Sequence, residues 1–179
     1  MTTTEFSIRD HVLGAKIKNE LGRFSLGAFE VIFQGEIFHH LLIYKGFTAP
    51  VPLRIQSACL TGHVAGDRSC ECRAQTAAAM EYLNARTNGI IIYTPEHEAR
   101  GKGLVSKLRV HKYRKERALD SFQACRELGL AFDQRSFDQF PHLLHHLDIS
   151  TIVMLSKNKR KIAALMKGGI DVRATVALP

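Results

Sequence analysis

The chain has 179 residues, of which 45% are hydrophobic and 23% are charged, the ordinary range for a globular protein. No apolar run approaches the roughly 20 residues that a membrane-spanning helix needs, which argues against a membrane protein. This length predicts a single domain over residues 1–179 with a sizeable core. Because the N-terminus lacks the basic and then apolar order of a signal peptide, we expect a cytoplasmic protein.

The charge balance favours a polyanionic partner. The formal net charge is +8 and the isoelectric point is about 9.5. Nucleic acid and a triphosphate substrate would both fit, but the sequence has no basic stripe interleaved with aromatic residues, and we therefore expect no nucleic-acid partner. The densest basic segments, residues 107–117 and 157–161, are typical of solvated helix faces.

The first half of the chain predicts strands. Residues 24–33 and 37–44 are rich in Phe, Val and Ile and flank a turn, which indicates a hairpin. Residues 51–55 form a third predicted strand. Pro50 and Pro52 indicate that this strand starts at a sheet edge, because proline cannot donate to a hydrogen-bonded ladder.

The second half alternates between strands and helices. Helices are predicted over residues 75–86, 104–117, 121–128, 136–147 and 159–167, and short strands over residues 89–93, 152–155 and 170–176. The predicted fold class is therefore α/β, with a mixed sheet in which antiparallel N-terminal strands are followed by strand–helix crossover units. Binding residues should gather on the loops beyond the strand ends.

Three of the four cysteines, Cys59, Cys70 and Cys72, lie within fourteen positions. Thiolates are strong ligands for Zn²⁺, and three protein ligands with an open fourth position are typical of a catalytic zinc site. The spacing differs from the Cys-x-x-Cys pairs of small zinc modules. A closed structural site with His63 as the fourth ligand is the alternative.

Two further segments have a composition that suits phosphate binding. The polar loop over residues 96–103 contains Glu98 and Arg100 between a strand and a helix, and a metal site or a plain solvated loop fits it too. Residues 156–161 also follow a strand and begin a helix.

Asp133 and Arg135 would place a base beside a cation that binds phosphate. The favoured interpretation of Asp133, however, is an N-cap of the next helix.

Residues 54–72 resemble the strongest signature of the GTP cyclohydrolase II family, an Arg-Val-His-Ser-Glu-Cys-Leu-Thr-Gly-Asp run followed by Cys-x-Cys. The stretch reads Arg54-Ile55-Gln56-Ser57-Ala58-Cys59-Leu60-Thr61-Gly62-His63 and then Cys70-Glu71-Cys72. The resemblance extends over roughly residues 24–178. The family's Gln-Glu-Gly-Arg loop is matched loosely by His97-Glu98-Ala99-Arg100.

The resemblance implies a role for each matching residue. The zinc ligands, for one ion per chain, fall on Cys59, Cys70 and Cys72. The catalytic residues fall on Asp133 as proton acceptor, Arg135 as nucleophile, and His111 in the place of a family tyrosine. The substrate-binding residues fall on Arg54, Gln56, Ser57, Gln75, Glu98, Arg100, Ser121, Ser156 and Lys161.

The resemblance also implies a two-part reaction on GTP, as in the first step of riboflavin biosynthesis. Arg135 would attack the α-phosphate and release pyrophosphate, with Mg²⁺ on the phosphates. Water on the zinc would open the imidazole ring at C8, and a second hydrolysis would release formate. A homodimer is the assembly that the family implies.

Several positions depart from the family pattern and predict a divergent member. The family's histidine and glutamate before the first cysteine are Gln56 and Ala58, and the glycine of its loop is Ala99. The proline near the last phosphate segment is Lys159. Two alternatives therefore accompany the GTP prediction: a zinc hydrolase of the same family acting on another purine or pyrimidine heterocycle, and a non-catalytic zinc protein that binds nucleotides.

Overall fold

Seven strands form one mixed sheet in the computed structural model, which describes residues 5–178. In chain order they are β1 (Phe6–Asn19), β2 (Gly22–Phe33), β3 (Glu36–Gly46), β4 (Val51–Ser57), β5 (Gly89–Thr94), β6 (Thr151–Met154) and β7 (Asp171–Thr175). Their order across the sheet is β1-β2-β3-β5-β4-β6-β7. The pairs β1–β2, β2–β3 and β3–β5 are antiparallel, and the pairs β5–β4, β4–β6 and β6–β7 are parallel. This pairing confirms the predicted mixed architecture.

Six helices accompany the sheet in the described residues. They are α1 (Leu60–His63), α2 (Cys72–Asn84), α3 (Gly103–Arg117), α4 (Ser121–Glu127), α5 (Gln139–His146) and α6 (Lys159–Lys167). A 3-10 segment, Pro95–Gly101, joins β5 to α3. Between residues 5 and 178, none of the helices combines the length and the apolar character that crossing a membrane requires.

The isoleucine run of β5 explains how helices come to pack on both faces of the sheet. Side chains alternate between faces along a strand, and Ile90 and Ile92 pack in the larger core with the apolar sides of α5 and α6. Ile91 faces the other way and packs with Leu83 of α2. All three isoleucines are fully buried, and burial of such a side chain contributes about 1.5–3 kcal/mol.

Strand β1 is the longest element that the sequence did not predict, besides the short helix α1 and the 3-10 segment. It pairs with β2 along the sheet edge, and two irregularities interrupt its register, between Ile8 and Asp10 and between Leu13 and Ala15. Most of its residues are exposed. Because the register shifts move side chains to the opposite face, no continuous alternation of apolar and polar residues remains to identify the strand.

The prediction that Pro50 and Pro52 mark a sheet edge is wrong, since β4 lies in the sheet interior between β5 and β6. The Leu53 carbonyl accepts the Leu155 amide on the β6 side. The backbone N–H and C=O groups of successive residues in a strand point to opposite neighbouring strands. The backbone groups of residue 52 therefore face β5. The β5 ladder begins only at Leu53, paired with Ile90, so the missing amide of Pro52 interrupts no pairing.

Candidate active site

A cleft of about 680 Å³ opens where the parallel strands end at their carboxyl edge. The neighbouring strands β5, β4 and β6 all end there, so the segments that follow them meet. The predicted site residues that line the cleft are Arg54, Gln56, Ser57, Cys59, Cys70, Cys72, Gln75, Arg100, His111, Ser121, Arg135, Ser156 and Lys161. The two remaining predicted residues, Glu98 and Asp133, lie behind this lining.

The three cysteines lie together at one end of the cleft. The Sγ atoms of Cys59, Cys70 and Cys72 all lie within 4.8 Å of one another, with 3.6 Å between the Cys59 and Cys70 sulfurs. Gly62 of α1 lies directly against them, and a Cβ there would come within 2.9 Å of the Cys70 sulfur. Three converging soft donors fit Zn²⁺, which brings thiolates together despite their mutual repulsion.

His63 is held by protein groups instead of pointing at the cysteine cluster. Its Nδ1 lies 3.2 Å from the Tyr93 hydroxyl, and its Nε2 lies 3.2 Å from the Cys72 carbonyl and 3.0 Å from Thr76 Oγ1. Within residues 5–178, the only group of side chains spaced to hold a metal consists of the three cysteines. The geometry thus favours the three-ligand arrangement over the closed four-ligand alternative.

Lys107 of α3 is a site residue that sequence reasoning missed. Its Nζ donates to Cys59 Sγ at 3.0 Å and to Glu98 Oε1 at 2.7 Å, while Glu98 Oε2 accepts the Leu60 amide at 2.6 Å. Burial opposes the thiolate of Cys59, but the hydrogen bond from Lys107, together with those from the Gly62 backbone, Cys72 and Cys70, lowers the pKa of Cys59. Glu98, predicted to bind substrate, is therefore engaged by groups behind the cysteine cluster.

The other end of the cleft is built around Arg135. Its Nε and Nη2 donate to the two oxygens of Asp133 at 2.9 and 2.7 Å, and its Nη1 donates to Ser57 Oγ at 3.0 Å. Arg160 adds a second cation 2.7 Å from Asp133. Burial alone would raise the pKa of Asp133, but the hydrogen bonds from Arg135 and Arg160 hold it well below its usual range. The guanidinium is thus fixed by a paired carboxylate.

Asp133 does not cap a helix, contrary to the favoured sequence interpretation. Helix α5 begins at Gln139 and Asp138 occupies the preceding cap position, later than the predicted start at residue 136. The charges of Arg135 and Arg160 hold the carboxylate of Asp133 instead. The alternative, a carboxylate beside a phosphate clamp, matches this placement.

Two more buried cations lie beside Arg135. Arg54 donates from Nε to Gln56 at 2.9 Å and from Nη2 to Gln75 at 2.8 Å. Lys161 Nζ donates to the Ile55 carbonyl at 2.7 Å, and burial followed by the charge of Arg54 lowers its pKa from 10.5 to about 7. Positive charge concentrated in a cleft favours an anionic ligand.

The 3-10 segment connects the two ends of the cleft and is not a plain solvated loop. Ala99 and Arg100 adopt left-handed backbone angles, with φ of 52° and 62°. The Arg100 carbonyl accepts the Gln134 amide at 2.9 Å. Gly101 lies so close to the segment that contains Gln134 and Arg135 that a Cβ at Gly101 would meet the Arg135 backbone nitrogen at 3.3 Å. The segment therefore fixes the position of the Arg135 backbone.

The three remaining predicted residues lie at the cleft wall. His111 is on α3, one turn beyond Lys107, and Ser121 is the first residue of α4. Ser156 Oγ accepts the Asn158 amide at 3.1 Å, and Asn158 in turn caps α6 through the amides of Arg160 and Lys161. The cap thus fixes the helix turn that carries Lys161.

The fold and the site together define a mixed α/β protein with three cysteines that could hold a metal ion at one end of a cationic cleft. The profile of the family described as GTP cyclohydrolase II matches residues 10–177. The chain belongs to the GTP cyclohydrolase II family.

Two relatives that are similar in sequence agree with this assignment. The chain is 34% identical over 172 residues to GTP cyclohydrolase-2 of Neisseria gonorrhoeae, covering 94% of this chain and 85% of that protein. It is also 34% identical over 178 residues to the riboflavin biosynthesis protein RibBA of Cytophaga hutchinsonii, covering 98% of this chain but 43% of the longer protein. A crystal structure of RibBX, a two-domain 3,4-dihydroxy-2-butanone 4-phosphate synthase from A. baumannii, aligns with a TM-score of 0.47 and 16% identity, over 99% of this chain and 42% of that one.

Proposed function

We propose that the chain is a zinc-dependent hydrolase that opens the imidazole ring of GTP and releases formate and pyrophosphate. The observation that carries the proposal is the cleft itself, because it joins the cluster of Cys59, Cys70 and Cys72 to the cations Arg135 and Lys161. A nucleoside triphosphate needs both ends at once, one for the ring and one for the phosphates. Relatives named GTP cyclohydrolase-2 support the same substrate.

At the phosphate end, the side chains supply a nucleophile and a proton acceptor. A guanidinium nitrogen of Arg135 forms a bond to the α-phosphorus, the bond from phosphorus to the pyrophosphate oxygen breaks, and the nitrogen's proton passes to Asp133. The 2.7 Å contact from Arg135 Nη2 places Asp133 for this transfer. Because the pKa of Asp133 is lowered, the proton moves as the nitrogen bonds to phosphorus, which makes the N–H more acidic. Water later cleaves the bond between nitrogen and phosphorus, and the proton returns to regenerate the Arg135 guanidinium and the Asp133 carboxylate. Mg²⁺ bound to the triphosphate, and the charges of Lys161 and Arg54, would stabilise the departing pyrophosphate.

At the ring end, Cys59, Cys70 and Cys72 would hold the zinc. A zinc ion bound there would act as a Lewis acid that makes water a nucleophile near neutral pH. Lys107 offsets the negative charge of Cys59. His111 lines the cleft. The family resemblance aligns it with the family's tyrosine, with Tyr113 nearby, and a side chain there could hold a proton near the ring.

A second candidate function is hydrolysis of a different purine or pyrimidine heterocycle. Glu98 is occupied by Lys107 and the Leu60 amide, and Gln56 accepts from Arg54 while donating to the Ser57 carbonyl. Two groups expected to contact the substrate are thus engaged with protein partners. This observation favours a ring that makes fewer polar contacts than guanine.

Incubation of the zinc-loaded protein with GTP and Mg²⁺ tests the proposal. We expect formate and pyrophosphate as products. Cys70→Ser should abolish formate and leave pyrophosphate release in place. Cys125→Ser changes a buried cysteine that lines the cleft but lies outside the cluster, and it should retain both. Absence of GTP turnover with zinc bound would refute the GTP assignment, and a panel of purines and pyrimidines would then separate an enzyme acting on another ring from a non-catalytic binder.

The family resemblance also supports a homodimer that works in the cytoplasm. Sedimentation of the purified protein would measure the assembly, and cell fractionation would test the location. A monomeric protein with full activity would contradict the first part of this proposal.

A further inference from the structure

His97 lies directly behind the hydroxyl that holds Arg135. Ser57 Oγ accepts a hydrogen bond from Arg135 Nη1 at 3.0 Å, and the same oxygen lies 3.4 Å from His97 Nδ1. His97 is 2% exposed and borders the cleft. A short chain of contacts therefore runs from a buried imidazole, through one hydroxyl, to the guanidinium.

The direction of the hydrogen bonds in this chain follows from the chemistry of the groups. A guanidinium only donates, so Ser57 Oγ accepts from Arg135 and its own proton remains available. The imidazole nitrogen at 3.4 Å accepts that proton only if His97 carries its single proton on Nε2. The distance is at the long end for a hydrogen bond, and such contacts commonly shorten when a substrate closes the site.

The surroundings of His97 keep its ring neutral and fixed. Burial, followed by the charges of Arg135 and Lys161, lowers the pKa of His97 to about 3. The rings of Phe137 and Phe140 contact it edge-on, with interplanar angles of 84° and 75°. Its Nε2 is buried and makes no regular hydrogen bond within the described residues, although the Ser136 backbone acts on the ring in the direction that raises its pKa, as a carbonyl that accepts from a ring N–H does. A neutral, immobile ring is suited to act as a hydrogen-bond acceptor at Nδ1.

We propose that His97 is a positioning residue that orients the Ser57 hydroxyl, so that this hydroxyl receives Arg135 Nη1 and fixes the guanidinium in the cleft. Asp133 holds the other edge of the guanidinium through Nε and Nη2. With Ser57 in place, the plane of Arg135 is held at both sides. The consequence for the reaction rests on the proposed function, whereas the contact itself does not.

The tautomer of His97 is readable without any turnover. In protein labelled with ¹⁵N-histidine, we expect His97 to be neutral with its proton on Nε2 from pH 5 to pH 8. Ser57→Ala should move the Nδ1 resonance of His97 and leave that of His142, a histidine outside the cleft lining, unchanged. A proton on Nδ1, or a His97 that charges within this pH range, would overturn the proposal.

The accessibility of Arg135 provides a second readout that is independent of activity. Phenylglyoxal modification of Arg135, followed by mass spectrometry, should be at least about threefold faster in His97→Leu and Ser57→Ala than in the parent protein, because one anchor of the guanidinium is lost. His97→Gln, whose amide oxygen can still accept the Ser57 proton, should behave like the parent protein. Equal modification rates in all four proteins would contradict the proposal.

Kinetics then connect the contact to the reaction. His97→Leu and Ser57→Ala should each slow pyrophosphate release about tenfold, mainly in kcat, and the double variant should be no slower than either, because both changes remove the same interaction. His97→Gln should restore most of the rate. Additive losses, or a fully active His97→Leu, would refute a positioning role. If the parent protein releases no pyrophosphate from GTP, the proposed function fails. The NMR and chemical-modification experiments would still show whether His97 orients the Ser57 hydroxyl.

Discussion

The two acidic side chains behind the cleft are both bound to cations of the site. Glu98 pairs with Lys107 and Asp133 pairs with Arg135 and Arg160. Each carboxylate thereby fixes a positively charged group at the cleft, one beside the cysteines and one at the phosphate end. Arg54 and Lys161 instead donate to neutral amide and carbonyl oxygens, so their positive charge is left to meet the anionic groups of a ligand.

Substitution of Lys107 by Met should weaken zinc binding about 10–100-fold, the range typical for lost partners of metal ligands. The variant removes the donor to Cys59 Sγ and leaves the buried Glu98 without its cation. Competition with a chromophoric chelator would measure the affinity. Lys112→Met, an exposed position on the same helix, serves as the control, and an unchanged zinc affinity in Lys107→Met would contradict the expectation.

Lys161 should make the stability of the protein depend on pH. The folded chain releases its proton near pH 7 and the unfolded chain near 10.5. The unfolded state therefore binds more protons between these values, so the Lys161 contribution to the free energy of unfolding rises with pH across this window. Urea unfolding at pH 7 and pH 9 would measure the rise.

The comparison with two variants isolates the effect of Lys161. Lys161→Met should lose this part of the pH dependence, while Lys167→Met, an exposed lysine of the same helix, should keep it. An identical pH dependence in all three proteins would show that Lys161 does not titrate in this window.

At the residue level, the sequence predicted the groups whose signal is local and left out those brought in from a distance. The spacing of Cys59, Cys70 and Cys72 and the pairing of Asp133 with Arg135 are visible within a few positions. Lys107 lies 48 positions from Cys59, inside a basic segment that is typical of a solvated helix face. No pattern in the chain marks which of its lysines turns toward the sulfur.

Among the elements, the four-residue helix α1 has the most direct effect on the cysteine cluster. Gly62→Ala should reduce zinc affinity at least tenfold, because the added Cβ would lie 2.9 Å from the Cys70 sulfur and 3.1 Å from that of Cys59. Alanine favours a helix over glycine, so the helix itself should tolerate the change. Zinc titration and thermal unfolding of the metal-free variant would separate the two effects, and normal zinc affinity would contradict the steric argument.

The elements differ in how far the sequence could predict them. Strands β2 to β6 were predicted because each carries an apolar run that is largely buried, whereas β7 is mostly exposed and was predicted from the apolar residues around it, such as Ile170 and Val176. Strand β1 has register shifts and mostly exposed side chains. It is therefore held as a strand by pairing with β2, and its own sequence shows no alternation of apolar and polar residues. The central place of β4 depends on where its neighbours start pairing, which is a property of the whole sheet.

For the molecule as a whole, the net charge of +8 predicts a strong effect of salt on substrate capture. Raising the ionic strength from about 0.05 to 0.5 M should lower kcat/KM for GTP about tenfold, because screening weakens the attraction of a triphosphate to the cationic cleft. Binding of guanosine, which has the same ring without phosphates, should change little. Equal salt sensitivity for the two ligands would argue against phosphate capture by these charges.

The left-handed conformation of Ala99 has a consequence for the evolution of this cleft. The family's glycine adopts such angles freely, whereas an alanine there costs about 1–2 kcal/mol. The methyl group of Ala99 lines the cleft, so this conformational cost accompanies a narrower cleft wall. We expect Ala99→Gly to raise the melting temperature and to widen the range of ring analogues that bind. One substitution would then exchange selectivity for thermal tolerance. A lower melting temperature would show instead that the methyl group is needed for packing.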